Sequence, residues 1–363
     1  MRLLFFNPEN DLALAANDPQ YTPPASARQM AADLQLLPSL WAAPDDLILL
    51  RDGSACSPIP PAAIFNATAI APSPSSFLKN EATLLPWGWS PLTLTQLRKA
   101  GIPETLLPSE AEIQTFRTFS GRATAADILG QLHHKFAEMG LAQHFVGEAY
   151  VCTTLDEARR HHRHFGETIF KQPWSGSGRG LLPAHQGSLT EKNQAWLLRT
   201  LRQQGYVMAE PAYSKARDFA LEFWRHPDGR VTYEGLSLFH TTDGGVYAGN
   251  IVASEERKLE LIGGSMGILL PVHSSLVSLL QSALSALPPT FYEGPIGIDM
   301  LLTTDGRIHP CIEINFRMTM GWLALQLRSH QSDSGVGTFN IIFSEGHYKA
   351  IYKPTREYAS FFS

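Results

Sequence analysis

The stretch GIDMLLTTDGRIHPCIEINFR, residues 297–317, joins two apolar segments through an Asp-Gly pair and carries a regular series of polar side chains in its second half. Because successive side chains of a strand point to opposite faces, Glu313, Asn315 and Arg317 are predicted to share one face. The isoleucine and phenylalanine between them are predicted to face a core. The stretch therefore predicts an amphipathic β-hairpin with a polar face.

The length of the turn decides whether the first segment adds a carboxylate to this face. A two-residue turn at 305–306 would send Asp299 to the opposite face from Glu313. A three-residue loop over 304–306, with Gly306 in the left-handed conformation, returns both to one face. We predict the three-residue loop. Two carboxylates and an amide oxygen, together with phosphate oxygens, are ligands that Mg²⁺ prefers; a charged sheet face in contact with water is the alternative.

A glycine-rich loop lies upstream in the stretch FKQPWSGSGRG, residues 170–180, directly after Lys171. The backbone amides of such loops can approach phosphate oxygens closely. A P-loop is excluded because no Lys-Ser or Lys-Thr pair follows the glycines, and a dinucleotide fingerprint is excluded because Pro183 prevents the helix that it needs. Protein kinases place their glycine loop before the lysine. A hairpin flap over nucleotide phosphates and an ordinary flexible turn are the two interpretations left open.

Composition and charge limit the class of protein. The 363-residue chain has a net charge of −5 and 17% charged residues, without a run of Lys or Arg. We therefore expect neither a nucleic-acid partner nor a membrane partner, and no apolar stretch is long enough to span a membrane. The three cysteines, Cys56, Cys152 and Cys311, are widely spaced, which favours a reducing compartment without disulfides. We expect a cytoplasmic protein.

The pattern of predicted helices and strands divides the chain into two parts and a short C-terminal segment. Residues 1–112 alternate short apolar strands with helices, which predicts a small, mainly parallel α/β domain. Residues 113–345 alternate helices with antiparallel hairpins, which predicts an α+β domain. Residues 346–363 are interpreted as a C-terminal tail.

Three motifs, taken in order, resemble those of a known superfamily. Lys171 with its glycine loop, YVMAEP at 206–211 and the hairpin at 297–317 occur in the order and approximate spacing of the ATP-grasp ligases. The ending EIN.R is similar to that of biotin carboxylase and of the D-alanine–D-alanine ligases. The resemblance covers about residues 112–345 and implies an α+β ATP-grasp domain. The residues before about 112 are similar in class to the pre-ATP-grasp domain, which precedes the ATP-grasp domain in these ligases.

The resemblance also implies which residues bind the nucleotide and the metal. A flap-bearing subdomain, about 122–205, and a metal-binding subdomain, about 206–345, would clasp ATP between them. Lys171 and Arg317 would be catalytic, and Glu210 would receive the adenine amino group or the ribose hydroxyls. The residues implied in nucleotide binding are Arg122, Lys171, Ser175, Gly176, Ser177, Gly178, Glu210 and Asp218, and those implied in binding one or two Mg²⁺ ions, or Mn²⁺, are Asp299, Glu313 and Asn315.

One position departs from the pattern of the superfamily. Its members usually have a further lysine at the start of this domain, where the present sequence has Arg122. An arginine can bind phosphate through two parallel hydrogen bonds, whereas a lysine acts as a point charge. The substitution leaves this phosphate contact open.

The activity implied by the resemblance is that of a ligase. Such an enzyme activates a small-molecule carboxylate as an acyl-phosphate, which an amine then attacks, with ADP and phosphate as products. Phosphoryl transfer depends on positioning and on charge neutralisation, which a Lys–Arg–Mg²⁺ set supplies. Two other interpretations stay open: a phosphotransferase of the same fold that acts on a small molecule, and a non-catalytic nucleotide-binding protein. The two substrates and the oligomeric state have no signature in the sequence.

Polar residues outside these motifs are candidates for substrate binding. Asn7 and Glu9 follow the first predicted strand, where α/β domains tend to bind ligands, although turn chemistry accounts for them equally well. Tyr247 and Asn250 lie in a glycine-rich segment and are candidates for the acceptor side.

An earlier hairpin is predicted to bring two further carboxylates together. With a three-residue loop over 227–229, Glu222 and Glu234 would stand opposite each other on neighbouring strands. Such a pair is costly unless a cation or a substrate amine lies between the two side chains. Active-site lining and an ordinary surface are both compatible with this pattern.

Overall fold

The computed structural model describes residues 1–51, 68–70, 82–176, 180–241, 247–263, 269–288, 292–329 and 336–355. Three β-sheets and the helices packed on them make up this part of the chain. Cys152 and Cys311 are buried free thiols, whereas Cys56 lies outside the described residues. Over these ranges, no helix combines the length and the apolar character that a membrane crossing requires.

The first sheet is parallel throughout and forms the N-terminal part. Its elements are β1 (Arg2–Phe5), α1 (Asn10–Ala16), α2 (Ala25–Asp33), β2 (Leu47–Leu49), β3 (Thr68–Ile70), β4 (Thr83–Pro86) and α3 (Pro91–Lys99). The strand order is β3-β2-β1-β4, and each neighbouring pair is parallel. Helix α3 begins after Ser90, whose hydroxyl accepts a hydrogen bond from Thr93 N. The α/β fold predicted for this region is confirmed.

Helix α4, Glu110–Phe119, crosses the predicted domain boundary. It begins with a capping box in which the side chains of Ser109 and Glu112 each accept the other residue's backbone N–H. Its buried Phe116 packs on the ring of Tyr292, with the ring centroids 5.5 Å apart, in the core of the largest sheet. The chain has no structural break at this position, and the division into domains stays a prediction.

The second sheet and its helices form the region that carries the glycine loop. Their bounds are α5 (Arg122–Glu138), β5 (Tyr150–Cys152), α6 (Leu155–Phe165), β6 (Thr168–Lys171), β7 (Leu181–Ala184), α7 (Glu191–Gln204) and β8 (Val207–Pro211). The order is β5-β8-β6-β7, with antiparallel neighbours. Strands β6 and β7 form the hairpin predicted around the glycines, and Gln172 N donates to Gly180 O at 2.8 Å.

The third sheet has seven strands and positions most of the candidate site. Its elements are β9 (Lys215–Arg225), β10 (Val231–Thr241), β11 (Tyr247–Val252), α8 (Glu255–Gly263), α9 (Leu269–Ser285), β12 (Gly294–Thr303), β13 (Ile308–Asn315), α10 (Met320–Ser329), β14 (Val336–Ser344) and β15 (His347–Thr355). The strand order is β13-β12-β9-β10-β11-β14-β15. Helices α5 and α9 cover one face, where Phe223 and Ile298 are buried. Helix α10 packs on the other face, where Trp322 and Phe339 share a core with Leu34 of the N-terminal part.

The region interpreted as a C-terminal tail continues this sheet. Strand β15 pairs along its whole length with β14, and its Ala350 is buried in the same core as Phe339. Tyr348 N donates to Asp33 Oδ2 at 2.8 Å, which ties the strand to α2. The tail interpretation is therefore corrected for residues 347–355, because this segment covers apolar surface between the sheet and the N-terminal part.

Candidate active site

The β12–β13 hairpin has the three-residue loop that the sequence predicts. Thr303 N donates to Arg307 O at 2.9 Å, and Gly306 N donates to Thr303 O at 3.0 Å. Gly306 has a φ of 85°, the left-handed conformation that glycine adopts without a Cβ clash. The prediction of an odd-numbered turn with a left-handed glycine is confirmed.

A β-bulge farther along this hairpin shifts the register by two residues. Leu301 pairs with His309, but Asp299 pairs with Glu313, so three residues of β13 stand opposite one residue of β12. Pro310 lies in the bulge, where its missing N–H costs no ladder hydrogen bond. Because two residues are one full strand repeat, Asp299 and Glu313 still point to the same face.

The oxygen-bearing side chains of Asp299, Glu313 and Asn315 lie together, as predicted for the metal site. Asn315 Nδ2 donates to Asp299 Oδ2 at 3.2 Å, and Asp299 stands directly across the ladder from Glu313. Burial, and after it the negative charge of Glu313, raises the pKa of Asp299 to about 7. A cation between two such carboxylates would stabilise both of them.

This set of donors fits Mg²⁺ bound together with a nucleotide. Where the structure is described, no group of three or more His, Cys, Asp or Glu side chains could hold a metal ion by itself. The hairpin offers two carboxylates and an amide oxygen, so phosphate oxygens and water would supply the other positions of an octahedron. Mg²⁺ is commonly bound in this way, through one or two carboxylates and substrate phosphates.

Arg122 connects the glycine loop to this hairpin. It is the first residue of α5, and its guanidinium donates to Gln172 O at 2.7 Å, to Ser175 Oγ at 2.8 Å and to Glu313 Oε2 at 2.6 Å. The side chain is buried, with 7% of its surface exposed. An arginine can make three such contacts at once because its donors form a rigid planar fork. The predicted contact of Arg122 with phosphate stays a prediction.

Lys171 and Glu210, which are predicted to bind different parts of the nucleotide, contact each other directly. Strands β6 and β8 are neighbours, and Lys171 Nζ donates to Glu210 Oε2 at 2.5 Å. Both side chains are buried, so each charge depends on the other for compensation. Beside them, burial and then the positive charge of Lys171 lower the pKa of His309 to about 3.

Arg317 is held by a carboxylate that the motifs do not indicate. Its Nε and Nη2 donate to the two oxygens of Asp11, each at 2.8 Å, and Nη2 also donates to Asn315 Oδ1 at 2.8 Å. Burial acts to lower the pKa of Arg317, but the charge and hydrogen bonds of Asp11, together with the charges of Glu313 and Asp299, raise this pKa overall. Asp11 belongs to the polar cluster after β1, the only signal in the sequence that could have indicated it.

The glycine loop packs against the same carboxylate. A Cβ atom at Gly176 would lie 2.7 Å from Asp11 Oδ2, which is too close for a side chain. The polar side chains that line the cleft beside Gly176 include those of Asn10, Asp11, Ser120, Ser175, Glu313, Asn315 and Arg317. Ser177 and Gly178, also predicted to bind the nucleotide, lie outside the described residues.

Asn7 and Glu9 are buried and hydrogen-bonded within the N-terminal part. Asn7 Nδ2 donates to Gly88 O at 2.8 Å. Glu9 Oε1 accepts hydrogen bonds from Arg51 at 2.9 Å and from Gln96 at 3.1 Å. These contacts hold the loops after β1, β2 and β4 together, whereas Glu9 Oε2 is buried without a hydrogen-bond partner. Their role in substrate binding stays a prediction.

Tyr247 and Asn250, the candidates for the acceptor side, contact each other. Tyr247 Oη donates to Asn250 Oδ1, and Asn250 Nδ2 donates to Ser237 Oγ at 2.9 Å. Asn250 is buried, whereas Tyr247 is partly exposed. The contacts join β10 to β11 across the face that α10 covers, and the predicted substrate role is not tested by them.

Asp218 lies on the same strand face as Glu222, at the other end of β9. Its carboxylate accepts hydrogen bonds from Lys215 Nζ at 2.5 Å and from Thr241 Oγ1 at 2.6 Å. It pairs with Leu301, two residues beyond Asp299 on β12. The structure therefore brings Asp218 near the β12–β13 hairpin with its charge already compensated, and its predicted contact with the nucleotide stays a prediction.

The predicted pair of Glu222 and Glu234 does not form. The loop has three residues, as expected, but a bulge after Tyr233 shifts the register by one residue. Glu222 pairs with Gly235, and Glu234 is exposed, where Thr232 Oγ1 donates to it at 2.8 Å. The prediction is wrong because the strand has a bulge before Gly235. A glycine inside a strand often marks a bulge, so Gly235 is the signal in the sequence that could have indicated it.

Glu222 is instead buried beside the β12–β13 hairpin. It pairs with Gly297 of β12 and therefore lies on the same face as Asp299. Thr319 Oγ1 donates to Glu222 Oε2 at 2.9 Å. Burial raises the pKa of Glu222 to about 8; the bond from Thr319 opposes this rise, and the charge of Asp299 adds to it. The polar face thus contains a third carboxyl group, whose burial favours the protonated form.

Solved ATP-grasp ligases have similar folds at low sequence identity. N5-carboxyaminoimidazole ribonucleotide synthetase from Thermus thermophilus is 12% identical, with 94% of this chain and 83% of that chain covered and a TM-score of 0.50. N5-carboxyaminoimidazole synthetase from Staphylococcus aureus, solved with ADP, is 11% identical, with 95% and 83% covered and a TM-score of 0.49. The L-amino acid ligase from Bacillus licheniformis is 12% identical, with 95% and 81% covered and a TM-score of 0.44. No protein-family model and no curated protein matches the sequence.

The similarity to the Thermus enzyme defines the fold of this chain. The chain has the fold of the ATP-grasp ligases, with an α/β part followed by the α+β domain that the sequence predicts. At 12% identity this similarity defines the fold and does not define the reaction. The reaction must be argued from the site itself.

Proposed function

We propose that the protein is an ATP-dependent, Mg²⁺-dependent ligase that joins a small-molecule carboxylate to an amine. The proposal is carried by one observation: Glu313 and Arg317 line one cleft, and Arg122 and Asp299 adjoin Glu313, Arg122 through a hydrogen bond and Asp299 across the strand ladder. Phosphoryl transfer requires an arrangement of this kind, in which fixed positive charges and a carboxylate-bound cation neutralise the phosphate oxygens. The ATP-grasp fold supports the choice of ATP.

Each group around the cleft has a role in this proposal. Asp299, Glu313 and Asn315 would hold Mg²⁺, which supplies charge neutralisation to the phosphates when it is bound. Arg122 lies between the glycine loop and Glu313 and would bind phosphate oxygens from that side. Arg317 would bind the transferred group through its planar fork.

The buried ion pair of Lys171 and Glu210 would bind the other parts of the nucleotide. Lys171 would contact a phosphate, and Glu210 would receive the adenine amino group or the ribose hydroxyls. Their direct contact implies that the nucleotide binds to a lysine whose positive charge is already balanced by Glu210. The two residues would therefore contribute hydrogen-bond geometry more than net charge.

The proposed reaction has two steps. A carboxylate oxygen attacks the γ-phosphorus of ATP, the bond to the β-phosphate oxygen breaks, and ADP leaves as the acyl-phosphate forms. The amine then attacks the acyl carbon, phosphate leaves with the bonding electron pair, and the nitrogen loses a proton. The described residues of the glycine loop, Ser175 at the cleft and Gly176 against Asp11, would help to keep out water that would otherwise hydrolyse the acyl-phosphate.

An ADP-release assay with panels of amino acids and small diacids tests this proposal. We expect MgATP to raise the melting temperature, because it binds the folded state. We expect ADP release to require both a carboxylate and an amine, without a stable phosphorylated product. A stable phosphate ester formed from an alcohol would identify a phosphotransferase instead. Stabilisation by MgATP without turnover on any pair would favour a non-catalytic nucleotide-binding protein.

A further inference from the structure

The Asp11–Arg317 ion pair joins residues 306 positions apart in the sequence. Asp11 is the second residue of α1 in the N-terminal part, and Arg317 lies two residues after the end of β13. Arg317 Nε and Nη2 each donate to one oxygen of the carboxylate, at 2.8 Å. Two parallel hydrogen bonds of this kind are how an arginine binds a carboxylate or a phosphate.

The remaining contacts of Arg317 show which part of the guanidinium a ligand would need. Nη1 donates to Met318 O at 3.0 Å, and Nη2 also donates to Asn315 Oδ1 at 2.8 Å. The edge formed by Nε and Nη2, which offers the bidentate geometry, is therefore occupied by Asp11. An anionic group can use this edge only after Asp11 has left it.

The ion pair is accessible from the cleft. The side chains of Arg317 and Asp11 are 19% and 23% exposed, and both line the cleft that contains Glu313 and Asn315. The glycine loop packs on the same carboxylate at Gly176. A ligand that reaches Arg317 therefore meets Asp11 and the glycine loop together.

We propose that Asp11 is an internal substitute for the anionic group of the substrate. It occupies the bidentate edge of Arg317 and is displaced when the substrate carboxylate binds there. This inference rests on the proposed function, since the carboxylate that receives the transferred phosphoryl group must lie next to Arg317, which is proposed to bind that group. Asp11 is then a residue that determines specificity, because its charge must be compensated each time the site is filled.

The cost of displacing Asp11 indicates the chemical class of the ligand. Removing one partner from a largely buried ion pair leaves the other charge without compensation, which is strongly unfavourable. A simple carboxylate binds Arg317 and leaves Asp11 in this state. A ligand that also carries an ammonium group pairs with both residues, its carboxylate with Arg317 and its ammonium with Asp11. The structure therefore favours a zwitterion, such as an amino acid, as the ligand at Arg317.

Glycine and acetate are suitable probes, because both have the carboxylate and only glycine has the ammonium group. Their affinities are measured by calorimetry at fixed pH and ionic strength, with the protein saturated with MgADP. The variants are Asp11→Asn and, as a matched control for the loss of one charge, Asp305→Asn, which breaks the exposed Asp305–Arg307 pair at the hairpin turn. The ratio of the two affinities is the quantity compared, since a general loss of folded protein changes both equally.

We expect wild-type protein to bind glycine at least about tenfold more tightly than acetate, because hydrogen bonds to charged groups are among the strong ones. In Asp11→Asn, acetate should bind about tenfold more tightly than in wild type and the advantage of glycine should disappear, because the competing charge is gone. Asp305→Asn should keep the wild-type ratio.

Equal affinities of glycine and acetate in wild-type protein would overturn the inference without any variant, as would the failure of both to bind. An unchanged ratio in Asp11→Asn would also overturn it. If wild-type protein does not bind MgADP, the proposed function fails and the inference fails with it. If MgADP binds and the ratio is insensitive to Asp11, the inference alone fails.

Discussion

The two β-hairpins of the seven-stranded sheet, β9–β10 and β12–β13, have the same turn and differ in their bulges. Both loops have three residues and end in a left-handed glycine, Gly229 with a φ of 84° and Gly306 with a φ of 85°. In each hairpin the regular pairing then shifts once. Because the turns are the same, a comparison of the two hairpins shows how a bulge changes which side chains lie opposite each other.

The size of the register shift decides where the carboxylates lie. In β12–β13 the shift is two residues, which returns Asp299 to a position opposite Glu313. In β9–β10 the shift is one residue, which leaves Glu222 opposite Gly235 and turns Glu234 to solvent. Because the side-chain repeat of a strand is two, an odd shift changes which faces meet and an even shift does not. Similar patterns of charge thus give a carboxylate pair in one hairpin only.

The backbone beside the odd bulge is hydrogen-bonded by charged side chains of α8. Leu236 N donates to Glu255 Oε2 at 3.1 Å, and Lys258 Nζ donates to Leu236 O. Burial lowers the pKa of Lys258 to about 8. Buried backbone groups require partners, and here a helix that follows in the chain supplies them. The bulge of β9–β10 is consequently a feature of the assembled sheet rather than of the hairpin sequence alone.

The largest expected effect is on activity, and we expect it from a substitution in β12–β13 but not from one in β9–β10. Glu313→Gln removes one negative charge from the set proposed to hold Mg²⁺, whereas Glu234→Gln removes one from the exposed bulge of the other hairpin. We expect Glu313→Gln to reduce ADP release at least about a hundredfold, because preorganised charge is usually the largest contribution to catalysis. It should also raise the Mg²⁺ concentration needed for half-maximal rate. Glu234→Gln should behave as wild type.

Steady-state ADP release at several Mg²⁺ concentrations measures both substitutions, and circular dichroism checks that each variant is folded. Normal turnover of Glu313→Gln at low Mg²⁺ would mean that β12–β13 is not the metal site. The proposal of a ligase would then fail as well, because it rests on Asp299 and Glu313 as the metal-binding carboxylates. An equal loss in both variants would indicate a general effect of charge instead.

A smaller effect, on stability, concerns the buried Glu222 of β9–β10. Its pKa is about 8 in the folded protein, above the ordinary value of 4.5, so the folded state binds its proton more tightly than the unfolded state. The free energy of unfolding that this group contributes is therefore fully present at low pH and decreases as the pH rises from about 4.5 to 8.

Glu222→Gln removes this titration while it keeps the shape of the side chain. We expect the variant to lose less stability than wild type between acidic and alkaline pH, by about 2 kcal/mol or more. Denaturant unfolding at pH 5 and pH 9 measures the difference, with Glu234→Gln as the exposed control. Identical pH dependence in wild type and Glu222→Gln would mean that Glu222 is ionised, and compensated, in the folded protein.

The local geometry of the site could be predicted from the sequence where it depends on near neighbours. The strand repeat places Glu313 and Asn315 on one face, and Gly306 permits the loop that brings Asp299 to them. The bulge at Pro310 was not foreseen, yet its even shift left that prediction intact. The odd shift at Gly235 reversed the corresponding prediction for Glu222.

Contacts between distant parts of the chain could not be predicted. Lys171 and Glu210 meet because β6 and β8 are neighbours in a sheet whose strand order differs from the sequence order. Asp11 reaches Arg317 because the N-terminal part packs against the largest sheet. Neither contact has a spacing or periodicity that a single sequence reveals, because each depends on how separate elements pack.

The smallest expected effect tests the feature that the two hairpins share. Gly229 and Gly306 both occupy the left-handed conformation, and each donates its N–H to the residue three positions earlier, at 2.9 and 3.0 Å respectively. Replacement by alanine adds a Cβ that crowds the backbone in this conformation, so Gly229→Ala and Gly306→Ala should each lower the free energy of unfolding by about 1 kcal/mol. Asparagine tolerates this conformation better than alanine, so both Asn variants should lose less. Denaturant unfolding of the four variants at one pH measures these differences. If Gly306→Ala were as stable as wild type while Gly229→Ala was not, the loop of β12–β13 would not have the left-handed glycine, and the common face of Asp299 and Glu313 would need another explanation.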